Sequence, residues 1–176
     1  ITTLNPVKRL YNLRTLDASG VQVDDYSPIG EALELENIDL SGSSVKRVDF
    51  ASRLQKLTKL NIENTAVASL EPLKKNENLA VIYADNSGID EKTAFAFNKA
   101  HPGCIVIYDT PGIEQWWSAL SDAWKEFFTS TYKIDAPPST EQLHALIFNS
   151  ELNISGSVNI ISLLPLTKMK NLEKIT

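Results

Sequence analysis

The chain has 176 residues, 43% of them hydrophobic and 22% charged, which suits one domain or two small ones around a buried core. Its net charge of −5 and pI near 5.1 leave no positive field to attract nucleic acid or an anionic membrane surface. The single cysteine, Cys104, excludes an intrachain disulfide; no apolar run is long enough to span a bilayer, and no signal-peptide pattern opens the chain at Ile1-Thr2-Thr3-Leu4.

A repeat governs the first half. Leu13, Leu35, Leu57 and Leu79 follow one another at intervals of 22 residues. Each is followed in fixed phase by Leu16, Ile38, Leu60 and Ile82, then Ala18, Leu40, Ile62 and Ala84, then Val23, Val45, Val67 and Ile89. This is the pattern L-x-x-L-x-L-x-x-N-x-L. A second marker keeps the same phase: Pro6, Pro28 and Pro72 each stand 7 residues before a consensus leucine, with Phe50 in the slot of the third unit. Such a period predicts stacked units. Each contributes one short parallel strand with apolar side chains inward, and a returning segment in which proline is tolerated because no ladder bond is asked of its nitrogen.

The repeat length and the segments Leu70 to Ile82 (LEPLKKNENLAVI) and Leu163 to Ile175 (LLPLTKMKNLEKI) resemble the short leucine-rich repeats of bacterial internalins and of a regulatory subunit of protein phosphatase 1. The resemblance implies an α/β fold: a right-handed solenoid with parallel strands on its concave face, used for recognition, in a protein of bacterial surface type. The family's asparagine slot departs from the pattern, holding Val21, Ser43, Thr65 and Ser87. A hydroxyl can still bond the turn backbone over a short reach, whereas valine cannot.

Beyond Ile89 the pattern changes. Asp90 is positioned to N-cap a helix over residues 91–100, with Phe95 and Phe97 available to cover the array. Residues 103–108 read as a further strand, with Ile105 lying 23 after Ile82, and Thr110-Pro111-Gly112 as a closing turn. Trp116, Leu120, Trp124 and Phe127 then recur at helical spacing, with Trp117 and Phe128 beside them. Ser139-Thr140-Glu141-Gln142 is a capping box for a helix whose apolar face is Leu143, Leu146 and Ile147. Repeat character returns at Glu151 to Ser155, and Pro165 again precedes Leu172 by 7. The expected organisation is a first array over 1–112, a Trp-rich helical cap over 113–148, and the start of a second array over 149–176. The Trp stripe is expected to seal the second array. A partner groove is an alternative, and a membrane-surface helix is disfavoured because its polar face carries Glu114, Asp122, Lys125 and Glu126 rather than a run of basic residues.

Strand alternation assigns three outward columns to the first array: Thr15, Asn37, Lys59 and Val81; Asp17, Asp39, Asn61 and Tyr83; Ser19, Ser41, Glu63 and Asp85. The expected binding residues are Asp17, Asp39, Lys59, Asn61, Glu63, Val81, Tyr83 and Asp85. Tyr83 is the foremost contact as an aromatic on a rigid strand. Asp17 and Asp39 fall opposite one another about 5 Å apart, a mild repulsion that a basic partner or a cation would relieve and that solvent otherwise screens. Chemistry is poorly represented. His101, Cys104 and Asp109 cluster in sequence but offer too few ligands for a metal and no oriented base for a thiol, and no phosphate-cradling glycine motif occurs. The reading is a non-enzymatic module without cofactor. It would bind a protein, or a glycan, as part of an exported or surface-associated bacterial protein. The alternative is a structural element stacking end to end through open repeat termini.

Overall fold

A computed structural model describes residues 1–155 and 159–176; residues 156–158, inside the expected second array, lie outside the described residues. The chain forms two compact units, Ile1–Tyr108 and Asp109–Thr176.

In the first unit, β1 (Thr15–Asp17), β2 (Asn37–Asp39), β3 (Lys59–Asn61), β4 (Val81–Tyr83) and β5 (Ile105–Ile107) form one parallel sheet in sequence order. The first four strands pair at the sequence period: Leu16 opposite Ile38, Ile38 opposite Leu60, Leu60 opposite Ile82. Ile38, Leu60 and Ile82 turn inward and are buried with Leu40, Ile62 and Ala84. The chain returns through 3-10 turns at Asn5–Arg9, Ser27–Glu31, Asp49–Arg53 and Glu71–Leu73. Proline opens the first, second and fourth of these, where its fixed φ and missing N–H carry no penalty. Phe50 takes the slot in the third. A Cβ on neighbouring Gly30 would stand 2.8 Å from the Phe50 carbonyl oxygen, so glycine lets the two return segments approach closely here.

A further periodicity shapes the turn after each strand. Gly20, Gly42, Asn64, Asn86 and Asp109 all have φ between 46° and 65°. This left-handed conformation is open to glycine and tolerable for Asn and Asp. Asn86 Nδ2 donates to Asn64 Oδ1 at 3.2 Å, so two of these turns are also tied by their side chains.

The fifth unit differs. Its return path is α1 (Glu91–Ala100), N-capped by Asp90, whose side chain accepts from Thr93 N at 2.8 Å. The spacing suggests that Ile105 faces Ile82. Instead Val106 pairs with Ile82 and Ile105 with Val81, a step of 24 residues. An α-helix rises 1.5 Å per residue against about 2.0 Å for a 3-10 turn, so it consumes more chain over the same path.

The second unit contains α2 (Thr110–Ser118), α3 (Asp122–Tyr132), α4 (Thr140–Ile147) and the parallel pair β6 (Glu151–Leu152) and β7 (Lys174–Ile175). Two expectations need correction. Thr110-Pro111-Gly112 is the first turn of α2 rather than a closing turn, with the proline at a helix start where it fits best. The aromatic stripe is carried by two helices instead of one. Ser121 breaks it by N-capping α3, its hydroxyl accepting from Trp124 N at 3.4 Å. The rings nevertheless converge. Trp124 stacks on Phe128 at 5.0 Å between centroids, Trp116 and Trp117 approach Phe128 at 6.2 and 6.3 Å, and Leu120, Leu146, Leu152, Leu166 and Met169 complete the core. The indole N–H of Trp116 donates to Pro165 O and that of Trp124 to Ser162 O, so the buried polar edges are satisfied by the repeat's own return segment. Leu152 pairs with Ile175, one repeat step of 23 residues. Ser139 and Gln142 make the reciprocal capping-box bonds of α4.

Candidate recognition face

The eight candidate residues lie on the outward side of the five-stranded sheet or at its strand ends. Asp17 and Lys59 are exposed; Asp39, Asn61, Glu63, Val81, Tyr83 and Asp85 are half-buried. Pairing places Asp17 opposite Asp39, Asp39 opposite Asn61, and Asn61 opposite Tyr83 on successive strands.

Part of this set also has local work. Asp17 Oδ1 accepts from Ser19 N at 3.0 Å and from the Ser19 hydroxyl at 2.7 Å. Asp39 Oδ1 accepts from Ser41 N at 2.8 Å, and Asn61 Oδ1 from Glu63 N at 3.0 Å. Each is an Asx turn that closes the strand end. The same bond recurs in the second unit, Asn153 Oδ1 accepting from Ser155 N at 3.0 Å. Sequence reasoning missed this role, though the recurring Asx-x-Ser at 17–19, 39–41 and 153–155 signals it. Between strands, Asn61 Nδ2 donates to Asp39 Oδ2 at 3.3 Å, and Lys59 Nζ stands 4.7 Å from the centre of the Tyr83 ring.

The electrostatics follow from these contacts. The two bonds from Ser19 hold the Asp17 carboxyl below the usual carboxylate range. Glu63 is pushed the other way, first by burial and then by the charges of Asp85 and Asp39. A cavity of about 320 Å³ opens on this face, lined by Asp17, Asp39, Lys59 and Asn61 together with Thr15 and Asn37.

The hydroxyls in the asparagine slot bond their turns. Thr65 Oγ1 and Ser87 Oγ each donate at 2.6 Å, to Ile62 O and Ala84 O, and Ser43 Oγ accepts from Val45 N at 3.4 Å. At Val21 the residue's own side chain offers nothing; Val21 N donates to Ala18 O at 3.2 Å and the Tyr26 hydroxyl donates to Val21 O at 2.6 Å.

His101 stacks on Phe97 at 4.5 Å, and its Nε2 lies 2.7 Å from Lys74 O. Burial pushes the Cys104 thiol up to about 12, far from a nucleophile's range. Among the described residues no three His, Cys, Asp or Glu side chains converge in a way that could hold a metal ion, and no helix is long and apolar enough to cross a membrane.

The sheet, its period and its return turns define a leucine-rich-repeat solenoid of internalin-like type, and solved structures share the fold. The whole chain superposes on 56% of internalin C2 from Listeria monocytogenes at 18% identity and a TM-score of 0.55. A further internalin from the same species matches 60% of the chain over 31% of its own length, at 17% identity and a TM-score of 0.55. A leucine-rich-repeat protein from Leptospira interrogans matches 60% of the chain over 28% of its own length, at 25% identity and a TM-score of 0.54. The chain thus spans between 28% and 56% of these proteins. No family model and no curated protein matches the sequence significantly.

Proposed function

We propose that the chain is a non-catalytic recognition module that binds a protein through the outward face of β1 to β5, as part of an exported or surface-associated bacterial protein. The observation that carries this reading is the five-stranded sheet itself. Its inward residues and its turns fix the backbone, while its outward columns present Asp17, Asp39, Lys59, Asn61, Glu63, Val81, Tyr83 and Asp85 from a rigid support. The likeness in fold to Listeria internalins supports the bacterial setting.

The test uses a partner recovered by affinity capture on the full chain and then purified. The double variant Tyr83→Ala, Asp85→Ala should weaken it by at least about tenfold, as expected when an aromatic anchor and a neighbouring charge are lost together. Affinity equal to that of the parent chain rejects this face.

A further inference from the structure

The outward face changes character along the strand order. Over β1 and β2 it carries Asp17 and Asp39; over β4 and β5 it carries Val81, Tyr83 and Ile105, with Asp85 just past the end of β4. The carboxylates at the first end are not required by the turns they close. Asn61 holds the same place on β3, and Asn153 follows β6. Each amide oxygen takes the turn N–H at 3.0 Å, as Asp39 does at 2.8 Å. An amide therefore supplies the local bond without setting two like charges opposite one another on neighbouring strands, roughly 5 Å apart.

Across the three outward columns of β1 to β4, the carboxylates of Asp17, Asp39, Glu63 and Asp85 are accompanied by one cation, Lys59. The Lys59 ammonium lies over the Tyr83 ring, toward the apolar end. Burial first, and then the charges of Asp85 and Asp39, displace the Glu63 carboxyl upward. The cavity of about 320 Å³ opens between the two aspartates and Lys59, with room for a side chain.

Building on the reading that this face binds a protein, we propose that the partner presents an extended basic segment: a Lys or Arg side chain enters between Asp17 and Asp39, and an apolar side chain rests on Val81 and Tyr83. Charge complementarity fixes the first contact and the aromatic-aliphatic strip the second. A guanidinium suits the pair of carboxylates best, because its planar fork can donate to both. At about 4.8 Å per strand the two contacts are roughly 12–15 Å apart, the reach of about four residues of extended chain.

A library of random peptides displayed on phage and selected against the full chain tests the proposal. The expected winners carry Lys or Arg about four residues from an aromatic or large aliphatic residue. A synthetic winner is then titrated by fluorescence anisotropy at low and at raised salt. Asp17→Asn, Asp39→Asn should weaken binding at least about tenfold and remove most of its salt dependence, with the circular-dichroism spectrum unchanged because asparagine already closes the equivalent turn at Asn61. Winners without basic residues, no enrichment of basic sequences, or undiminished binding to the double asparagine variant each overturn the proposal. Tyr83→Ala separates the two levels. If it weakens winners that the asparagine pair leaves unaffected, the face stands and the basic partner falls. If neither variant matters, the face itself is rejected.

Discussion

Asn76 joins two repeats through a fully buried amide. It is 0% exposed, and its Nδ2 donates to Ala51 O at 2.9 Å and to Leu54 O at 2.8 Å, both in the preceding return turn. Equivalent places in the earlier units hold Leu10, Ala32 and Leu54, so the amide is an addition specific to this step. Asn76→Ala removes both bonds. Each carbonyl keeps a backbone partner, Leu54 N on Ala51 O and Leu57 N on Leu54 O. The loss is therefore at most the net value of two hydrogen bonds, about 1 kcal/mol each, since no acceptor is orphaned and the buried, unpartnered Oδ1 is removed with them. A total of about 2 kcal/mol corresponds to roughly a 30-fold fall in amide protection. Asn76→Asp keeps the shape but turns an oxygen toward each carbonyl, or buries a proton or charge, and should cost about 4 kcal/mol or more. Asn78 provides the control: its Nδ2 also crosses to the preceding turn, donating to Gln55 O at 2.7 Å, but in the open, so Asn78→Ala should cost under about 0.5 kcal/mol. Hydrogen exchange of peptides covering β3 and β4, with urea unfolding followed by far-ultraviolet circular dichroism, measures the series; all three tryptophans lie in the second unit and would not report it. If Asn78→Ala matches Asn76→Ala, or Asn76→Asp is no worse than Asn76→Ala, the tie is not what holds this step.

Three further outcomes follow from the cores and the charged face. In the second unit, Trp124→Phe should cost about 1–2 kcal/mol by deleting the bond to Ser162 O while keeping a ring beside Phe128, and Trp124→Ala about 3–5 kcal/mol, both read from the fluorescence of Trp116 and Trp117 in urea. Equal losses would mean that ring packing contributes nothing. Cys104, with its thiol raised from 9.0 to about 12, carries about a thousandfold less thiolate than an ordinary cysteine at pH 8, so a thiol reagent should modify the folded chain at least about 1000-fold more slowly than the denatured one. Comparable rates would contradict its burial. Glu63 is raised above the ordinary 4.5, so its ionised form is disfavoured in the fold: the penalty is absent well below 4.5 and accrues as the pH rises from 4.5 through the raised value. Glu63→Gln should therefore stabilise at pH 7, by less than about 1 kcal/mol after solvent screening, and lose that gain by pH 4; a gain independent of pH refutes the assignment.

The sequence carries the array in plain view because stacking forces one apolar pattern to recur. Leu16, Ile38, Leu60 and Ile82 pair at the interval at which they stand in the chain. The outward columns follow from strand alternation alone, as the partners of Asp17, Asp39 and Asn61 show. Legibility fails where a local device replaces the repeat. At β5 the helical return adds residues, so Ile105 slips from the inward row to the outward one and Val106 takes its place. In the second unit a single hydroxyl, Ser121, divides what periodicity presents as one aromatic stripe. Asn76 gives no sign at all in sequence, because its value depends on two carbonyls some 22 and 25 residues earlier.

In the five-stranded sheet the parts that hold the backbone are separate from the parts that face outward. Inward, the row Ile38, Leu60, Ile82 and Val106 barely varies in chemistry. At the turns, Gly20, Gly42, Asn64 and Asn86 keep one left-handed conformation with two residue types. Outward, the first column runs Thr15, Asn37, Lys59, Val81 and Ile105, from small and polar to aliphatic, with no change in pairing. Outward side chains can therefore change while the inward row and the turns keep the backbone. Asp17 and Asp39 mark the limit of that separation, since they close turns as well as carrying charge. Asn61 shows that even there the two tasks come apart, the oxygen serving the turn and the charge left over for something else.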